Sequence, residues 1–273
     1  LLLTPGPLTT SRGTKAVMLK DWGSRDEAFT AITSRVCRRL VEISGGMGTH
    51  VAVPLQGSGT FTVEATLATM VPRDGKVAVL VNGAYGRRIA EILRVIGRDH
   101  ITLETDEQVP NDPEALDALL AADDAITHVA VVYCETTTGL HNPVEAVAAV
   151  TARHGRALLI DAMSAFGVLP LDARDVAFDA VMASSNKCLE GVPGVGFAVI
   201  RESALAKCKG NAHSLTLDMY AQHKGFERNG QWRFTPPTQV MAAFDQALAE
   251  YAEEGGREVR LKRYATNHQV LVD

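Results

Sequence analysis

Lys187 stands in the polar stretch Ala183-Ser184-Ser185-Asn186-Lys187-Cys188-Leu189-Glu190-Gly191, between the apolar runs 178–182 and 196–200. Both runs read as strands, so the turn between them holds the amine at a strand end beside largely dry surroundings. Burial of that kind disfavours the ammonium form and leaves a nucleophile suited to Schiff-base chemistry with an aldehyde. Asp161 closes another apolar run, Leu158-Leu159-Ile160, and falls at a second strand end. A carboxylate placed there can keep a pyridine nitrogen protonated and so make the ring an electron sink.

Three further segments supply residues of the types that a phosphorylated pyridine aldehyde needs. Gln56-Gly57-Ser58-Gly59-Thr60 opens a helix. Its small residues and hydroxyls, with the unsatisfied first-turn N–H groups, form a cradle for an anion. It is neither a Walker loop nor a complete GxGxxG. Asn82-Gly83-Ala84-Tyr85-Gly86 follows a strand and opens a helix, which puts Tyr85 at the sheet edge where open α/β folds bind ligands. Glu135-Thr136-Thr137-Thr138-Gly139 follows another strand. Each piece also has an ordinary reading: a Gly-rich helix start, a packing tyrosine, a capped turn, an ion-paired aspartate, a solvated lysine. Their joint arrival at one sheet edge favours the cofactor site.

The elements that must position these residues alternate between apolar runs and helical patterns, the mark of βαβ units and a mostly parallel sheet. Strands are expected at 76–81, 126–133, 157–161, 177–183 and 196–201. Helices are expected at about 60–71, 84–97, 112–120 and 142–154, the last with Asn142 as cap and Pro143 at its first position. A helix at about 238–254 follows Pro236-Pro237, and Gly255-Gly256 separates it from a further helical stretch that runs to Asp273. Residues 1–20, rich in Pro, Gly and Thr, form an extended arm.

With 273 residues, 46% hydrophobic and 22% charged, the chain can bury a large core. A net charge of -5 without a basic stripe argues against nucleic acid. No apolar run reaches a membrane span of about 20 residues, and the first residues do not read as a signal peptide. Cys37, Cys134, Cys188 and Cys208 have no CxxC or metal-like spacing, and the histidines form no HExxH cluster, so no metal is expected and a cytoplasmic location is.

The chain resembles the class V aminotransferases, which are fold-type I pyridoxal phosphate enzymes. The likeness rests on stretches along essentially its whole length: 3–11, 21–24, Gln56-Gly57-Ser58-Gly59-Thr60, 134–139, Asp161-Ala162-Met163-Ser164, 185–191, 214–218 and Gly230-Gln231-Trp232-Arg233-Phe234-Thr235-Pro236-Pro237-Thr238. It implies an α/β fold-type I transferase, a mostly parallel sheet flanked by helices, with pyridoxal 5'-phosphate as cofactor. Lys187 would carry the cofactor and move the substrate's proton, and Asp161 would pair with the ring nitrogen. Ser58, Gly59 and Thr60 would hold the phosphate, Tyr85 and Met163 would cover the two ring faces, and Thr136 would lie near the phenolic oxygen. Thr235 would reach the phosphate of a neighbouring subunit, which implies a homodimer with shared sites.

The arm and the 230–238 segment point to a narrower branch, which implies amino transfer from 2-aminoethylphosphonate to pyruvate. An alanine–glyoxylate or serine–pyruvate exchange is the alternative. The same likeness divides the chain into the arm 1–20 lining the active site, a large cofactor-binding domain 21–248, and the start of a truncated smaller C-terminal domain at 249–273. The arginine expected for the substrate's acidic group would lie past Asp273.

Overall fold

The structure, a computed structural model, describes residues 2–273. Its strands are β1 (His50–Gln56), β2 (Lys76–Val81), β3 (Asp99–Glu104), β4 (Ile126–Val132), β5 (Ala157–Asp161), β6 (Ala180–Ser184) and β7 (Val195–Arg201). The helices are α1 (Arg12–Ala16), α2 (Glu27–Ile43), α3 (Gly59–Met70), α4 (Ala84–Val95), α5 (Pro113–Ala122), α6 (Val144–Arg153), α7 (Glu202–Leu205), α8 (Met219–Asn229), α9 (Thr238–Glu254) and α10 (Gly256–Val272).

The strands form one seven-stranded sheet in the order β1-β7-β6-β5-β4-β2-β3. From β6 to β3 every pairing is parallel, whereas β7 lies antiparallel to both β6 and β1. Two antiparallel pairings in succession restore direction, so β1 points the same way as β6. The C-terminal ends of β1, β2, β4, β5 and β6 therefore share one edge, the edge where open α/β sheets bind ligands.

Alternation along each strand divides the core into two layers. In β2, Ala78 and Leu80 join the layer under α2, α5, α6 and α9, while Val77, Val79 and Val81 join the layer under α3 and α4. Both faces are covered, which is why the central strands read as unbroken apolar runs. Phe29, Leu40, Phe197 and Phe244 are fully buried in the first layer, each such side chain contributing about 1.5–3 kcal/mol on burial. Arg35 and Arg39 of α2 both reach Asp245 of α9, at 2.6 and 3.0 Å, and pin these two helices together.

Several expected boundaries shift. The strand expected at 177–183 is β6 at 180–184, because Phe178 turns into the core and Asp179 ties the Leu158 and Arg201 backbones instead. Asn142 does not cap α6. It is buried, with its amide donating to Val132 O and Asn82 Oδ1 and its Oδ1 accepting from Asn82 and the Asn111 N–H. β1, β3, α1, α2, α7 and α8 lie outside the elements expected from sequence, and the arm is extended only in its first part: Ser11 caps α1 by accepting from the Thr14 N–H, and a 3-10 turn follows at Val17–Leu19. No helix among the described residues is long and apolar enough to cross a membrane.

Candidate active site

Four strand ends and the start of α3 converge on a cavity of about 480 Å³, a size suited to a small cofactor and its substrate. Ser58, Gly59, Thr60, Tyr85, Asp161, Met163 and Lys187 all line it, so seven of the nine residues named from sequence meet in one place.

The anion cradle is built from the β1–α3 junction. Ser58 is the residue before α3, yet its hydroxyl makes no capping hydrogen bond. Neither it nor the Thr60 hydroxyl has a partner among the described residues, and both remain free beside the first-turn N–H groups. Gly59 has a steric reason: a Cβ there would meet Met163 Sδ at 2.6 Å. Beyond its first turn the helix is buried nearly all round, whereas Phe61 is 52% exposed.

Asp161, the last residue of β5, is buried at the cavity floor. Burial pushes its carboxyl up to about 6, opposed by the Met163 N–H that donates to Oδ1 at 2.9 Å; the Glu135 charge adds to the rise, and Lys187 and Arg88 counter it. Among the described residues no cation is paired with it. A buried carboxylate in this condition is suited to a ligand that brings its own positive N–H.

Lys187 sits in the turn after β6 and is half-buried rather than dry, with Nζ donating to Pro5 O at 3.3 Å. The sequence argument from desolvation thus gives way to one from position. The arm crosses over this turn, the Leu8 N–H donating to Asn186 O at 3.2 Å. Gly6 rests directly against the Lys187 side chain with φ 144°, where an added Cβ would overlap the lysine's methylenes. Ser11 and Thr14 fasten the arm's far end to Glu250 of α9. Cys188 next door is a buried thiol that desolvation pushes up to about 12, so it is inert as a nucleophile. All four cysteines are free.

Two named residues lie elsewhere. Thr136 is not part of the cavity lining; its hydroxyl is 2.6 Å from Ser164 Oγ. Thr235 is exposed and lines a separate hollow of about 420 Å³ with Phe61, Trp232 and Phe234. Conversely, two residues at the site went unnamed. Arg88, one helical turn after Tyr85, lines the cavity and stacks 4.6 Å over the Tyr85 ring. Glu135 is fully buried, and its Oε1 accepts the Tyr85 and Gly86 N–H groups at 2.6 and 3.1 Å, fixing the start of α4. The helical spacing of Tyr85 and Arg88 was a readable signal for the first, whereas nothing local marks the second.

A lysine at a strand end, a buried acid on the cavity floor and an open helix start on a seven-stranded α/β sheet define an aminotransferase scaffold. The chain belongs to the class V aminotransferase family, whose profile, aminotransferase class-V, matches residues 64–273. It is similar to the 2-aminoethylphosphonate–pyruvate transaminase of Pseudomonas aeruginosa, 56% identical over 272 residues that span 100% of this chain and 73% of that protein. The protein of the same name from Pseudomonas putida strain W619 is also 56% identical, over 273 residues, 100% of this chain and 74% of that one. Among solved structures, the alanine–glyoxylate aminotransferase of Nostoc sp. superposes with a TM-score of 0.91 at 25% identity, over 99% of this chain and 72% of that one. The pyridoxamine–pyruvate aminotransferase of Mesorhizobium loti gives 0.89 at 27%, over 96% and 67%.

Proposed function

We propose that this chain catalyses amino transfer from 2-aminoethylphosphonate to pyruvate, giving phosphonoacetaldehyde and alanine, with pyridoxal 5'-phosphate as cofactor. The observation that carries the substrate pair is the 56% identity, along the whole chain, to relatives bearing that name. The solved alanine–glyoxylate enzyme shares the scaffold at only 25% identity.

The residues fit the cofactor: unused hydroxyls and N–H groups at a helix start suit its phosphate, and an unpaired buried carboxyl suits its ring nitrogen. When bound, pyridoxal phosphate supplies an aldehyde that links to amines and a ring that draws electrons from the adjoining carbon. Ser58, Gly59 and Thr60 hold the phosphate, with the α3 dipole and the Arg88 guanidinium opposing its charge. Tyr85 and Met163 cover the ring faces, and Glu135 fixes Tyr85 through its backbone. Asp161 would accept the ring N–H, a counter-charge that the protein around it does not supply. Lys187, whose Nζ now donates to the Pro5 carbonyl, would hold the cofactor's aldehyde carbon and, when free, would take the proton from the substrate carbon. Arm residues 5–8 lie over this turn and contact it through the Pro5 carbonyl and the Leu8 N–H.

Thr136 approaches the phenolic oxygen, and Thr235 completes the phosphate site of the second copy in a homodimer. The exposed Phe61 and Phe234 beside Thr235 give that contact an apolar surface. We assign 1–20 to the arm, 21–248 to the large domain and 249–273 to the start of the smaller one. Four free cysteines suit a cytoplasmic location.

The test is a half-reaction screen on the loaded native protein. 2-Aminoethylphosphonate should discharge its visible absorbance, and pyruvate should restore it with release of alanine. Preference for alanine with glyoxylate would replace the substrate reading.

A further inference from the structure

We propose that Arg260 and Glu190 are positioning residues for Lys187, through which α10 sets the orientation of the catalytic amine. The inference rests on reading Lys187 as the catalytic lysine.

The turn carrying Lys187 is closed by two of its own hydrogen bonds, Glu190 N–H to Lys187 O at 2.8 Å and Gly191 N–H to Ser185 O at 2.7 Å. Helix α10 grips it from outside at two points. Arg260 Nη1 donates to Cys188 O, the carbonyl one residue past Lys187, at 2.8 Å. The Glu190 carboxylate accepts from Tyr264 Oη and Arg263 Nη2, both at 2.8 Å. Glu190 has φ 57°, and it is the one non-glycine residue with positive φ among those described. A residue with a Cβ holds that conformation only where its surroundings impose it.

Arg260 is 3% exposed; Glu254 accepts from its Nη2 and Nε at 2.6 and 2.8 Å, and Glu190 Oε2 lies 3.7 Å from Nη2. Its planar fork therefore spans two acceptors, one fixing the helix junction and the other fixing the lysine turn. Docking α10 against α9 is served by the pair with Glu254 and the packing of the guanidinium over Tyr251. The contact with Cys188 O reaches past that helix pair to the residue next to the amine.

A lysine that must meet one proton in one direction loses rate when its turn loosens, while substrate binding is left alone. In the native holoenzyme, Arg260→Met and Glu190→Gln should each lower kcat on the order of tenfold with KM within about twofold. Combined, they should lose little more than the worse of the two, since both loosen one turn. Arg260→Lys keeps a charge for Glu254 but cannot span both acceptors, so the kcat defect should persist. In the cofactor-free chain, trace acylation read by peptide mass spectrometry should change at Lys187 and at no other lysine.

Unchanged kcat in folded variants, full rescue by Arg260→Lys, or unaltered Lys187 acylation would each overturn the proposal. If Arg260→Met does not fold, Glu190→Gln, which leaves the Arg260–Glu254 pair intact, decides alone. Turnover surviving in Lys187→Ala would instead sink the underlying site reading and leave the clamp without a catalytic object.

Discussion

Replacing Asp161 by Asn should stabilise the cofactor-free protein while disabling the enzyme. Burial raises the Asp161 carboxyl from an ordinary 3.8 to about 6. At 1.36 kcal/mol per unit, that rise corresponds to about 3 kcal/mol of destabilisation once the group is ionised. The sign follows from proton counting. The native state binds the proton more tightly than the unfolded chain, so stability falls as pH rises from about 4 to about 6 and is level above that. Asn does not titrate, and its side-chain oxygen still accepts the Met163 N–H. The difference between variant and wild type should therefore grow through that window to about 3 kcal/mol at neutral pH, or about 6 °C in Tm for a chain of this size. The assay is thermal unfolding of both cofactor-free proteins from about pH 4 to pH 8. Loading the cofactor should shrink the gap, because its ring N–H gives the wild-type carboxylate a partner, and turnover of the Asn variant should drop on the order of a hundredfold or more. A difference that does not vary with pH, or a cofactor-free variant less stable than wild type at neutral pH, would refute the reasoning.

Other perturbations test neighbouring parts. Gly59→Ala puts a Cβ 2.6 Å from Met163 Sδ; the flexible methionine end can swing aside, so stability should change by about 1 kcal/mol or less, while displacing this ring-covering side chain should weaken cofactor affinity by roughly tenfold or less in an absorbance titration. Phe244→Ala removes a fully buried ring stacked 5.7 Å from Phe197 and should cost about 3–5 kcal/mol in denaturant unfolding without altering the pH profile. Mixing Lys187→Ala chains with Thr235→Val chains should restore cofactor affinity and turnover at one site per mixed dimer, since the intact Lys187 then faces an intact Thr235 from the other copy; no recovery would place Thr235 outside the site.

The fold was legible where burial is symmetric and hidden where it is not. β2, β4 and β5 are covered on both faces, so Val77–Val81, Val129–Val132 and Leu158–Ile160 announce themselves as apolar runs. β1 and β3 are the sheet's two edges. Pro54 is tolerated in β1 because only one side is paired, and it is the residue that argues against a strand when read alone. β3 is half-exposed, and Asp99 and Glu104 mask its apolar alternation. Helix α2 lies outside the expected elements although Phe29, Ile32, Val36 and Leu40 repeat at helical spacing.

The candidate site divides along a similar line. Ser58, Tyr85, Asp161 and Lys187 could be named because each ends or follows a strand, and the topology of a parallel sheet gathers such positions at one edge. Glu135 follows a strand too, yet its partners are backbone groups of another helix start, and no side-chain type in the sequence betrays a backbone acceptor. Arg260 is the limiting case. Its place among Arg257, Glu258 and Arg263 reads as an ordinary charged helix, and only packing reveals that the guanidinium is buried against the carbonyl beside Lys187. Residues that meet ligand are constrained in type and can be found by type. Those that aim them are constrained only in place, and for this chain one of them, Arg260, comes from the last helix of the sequence, far from the strands that build the cavity.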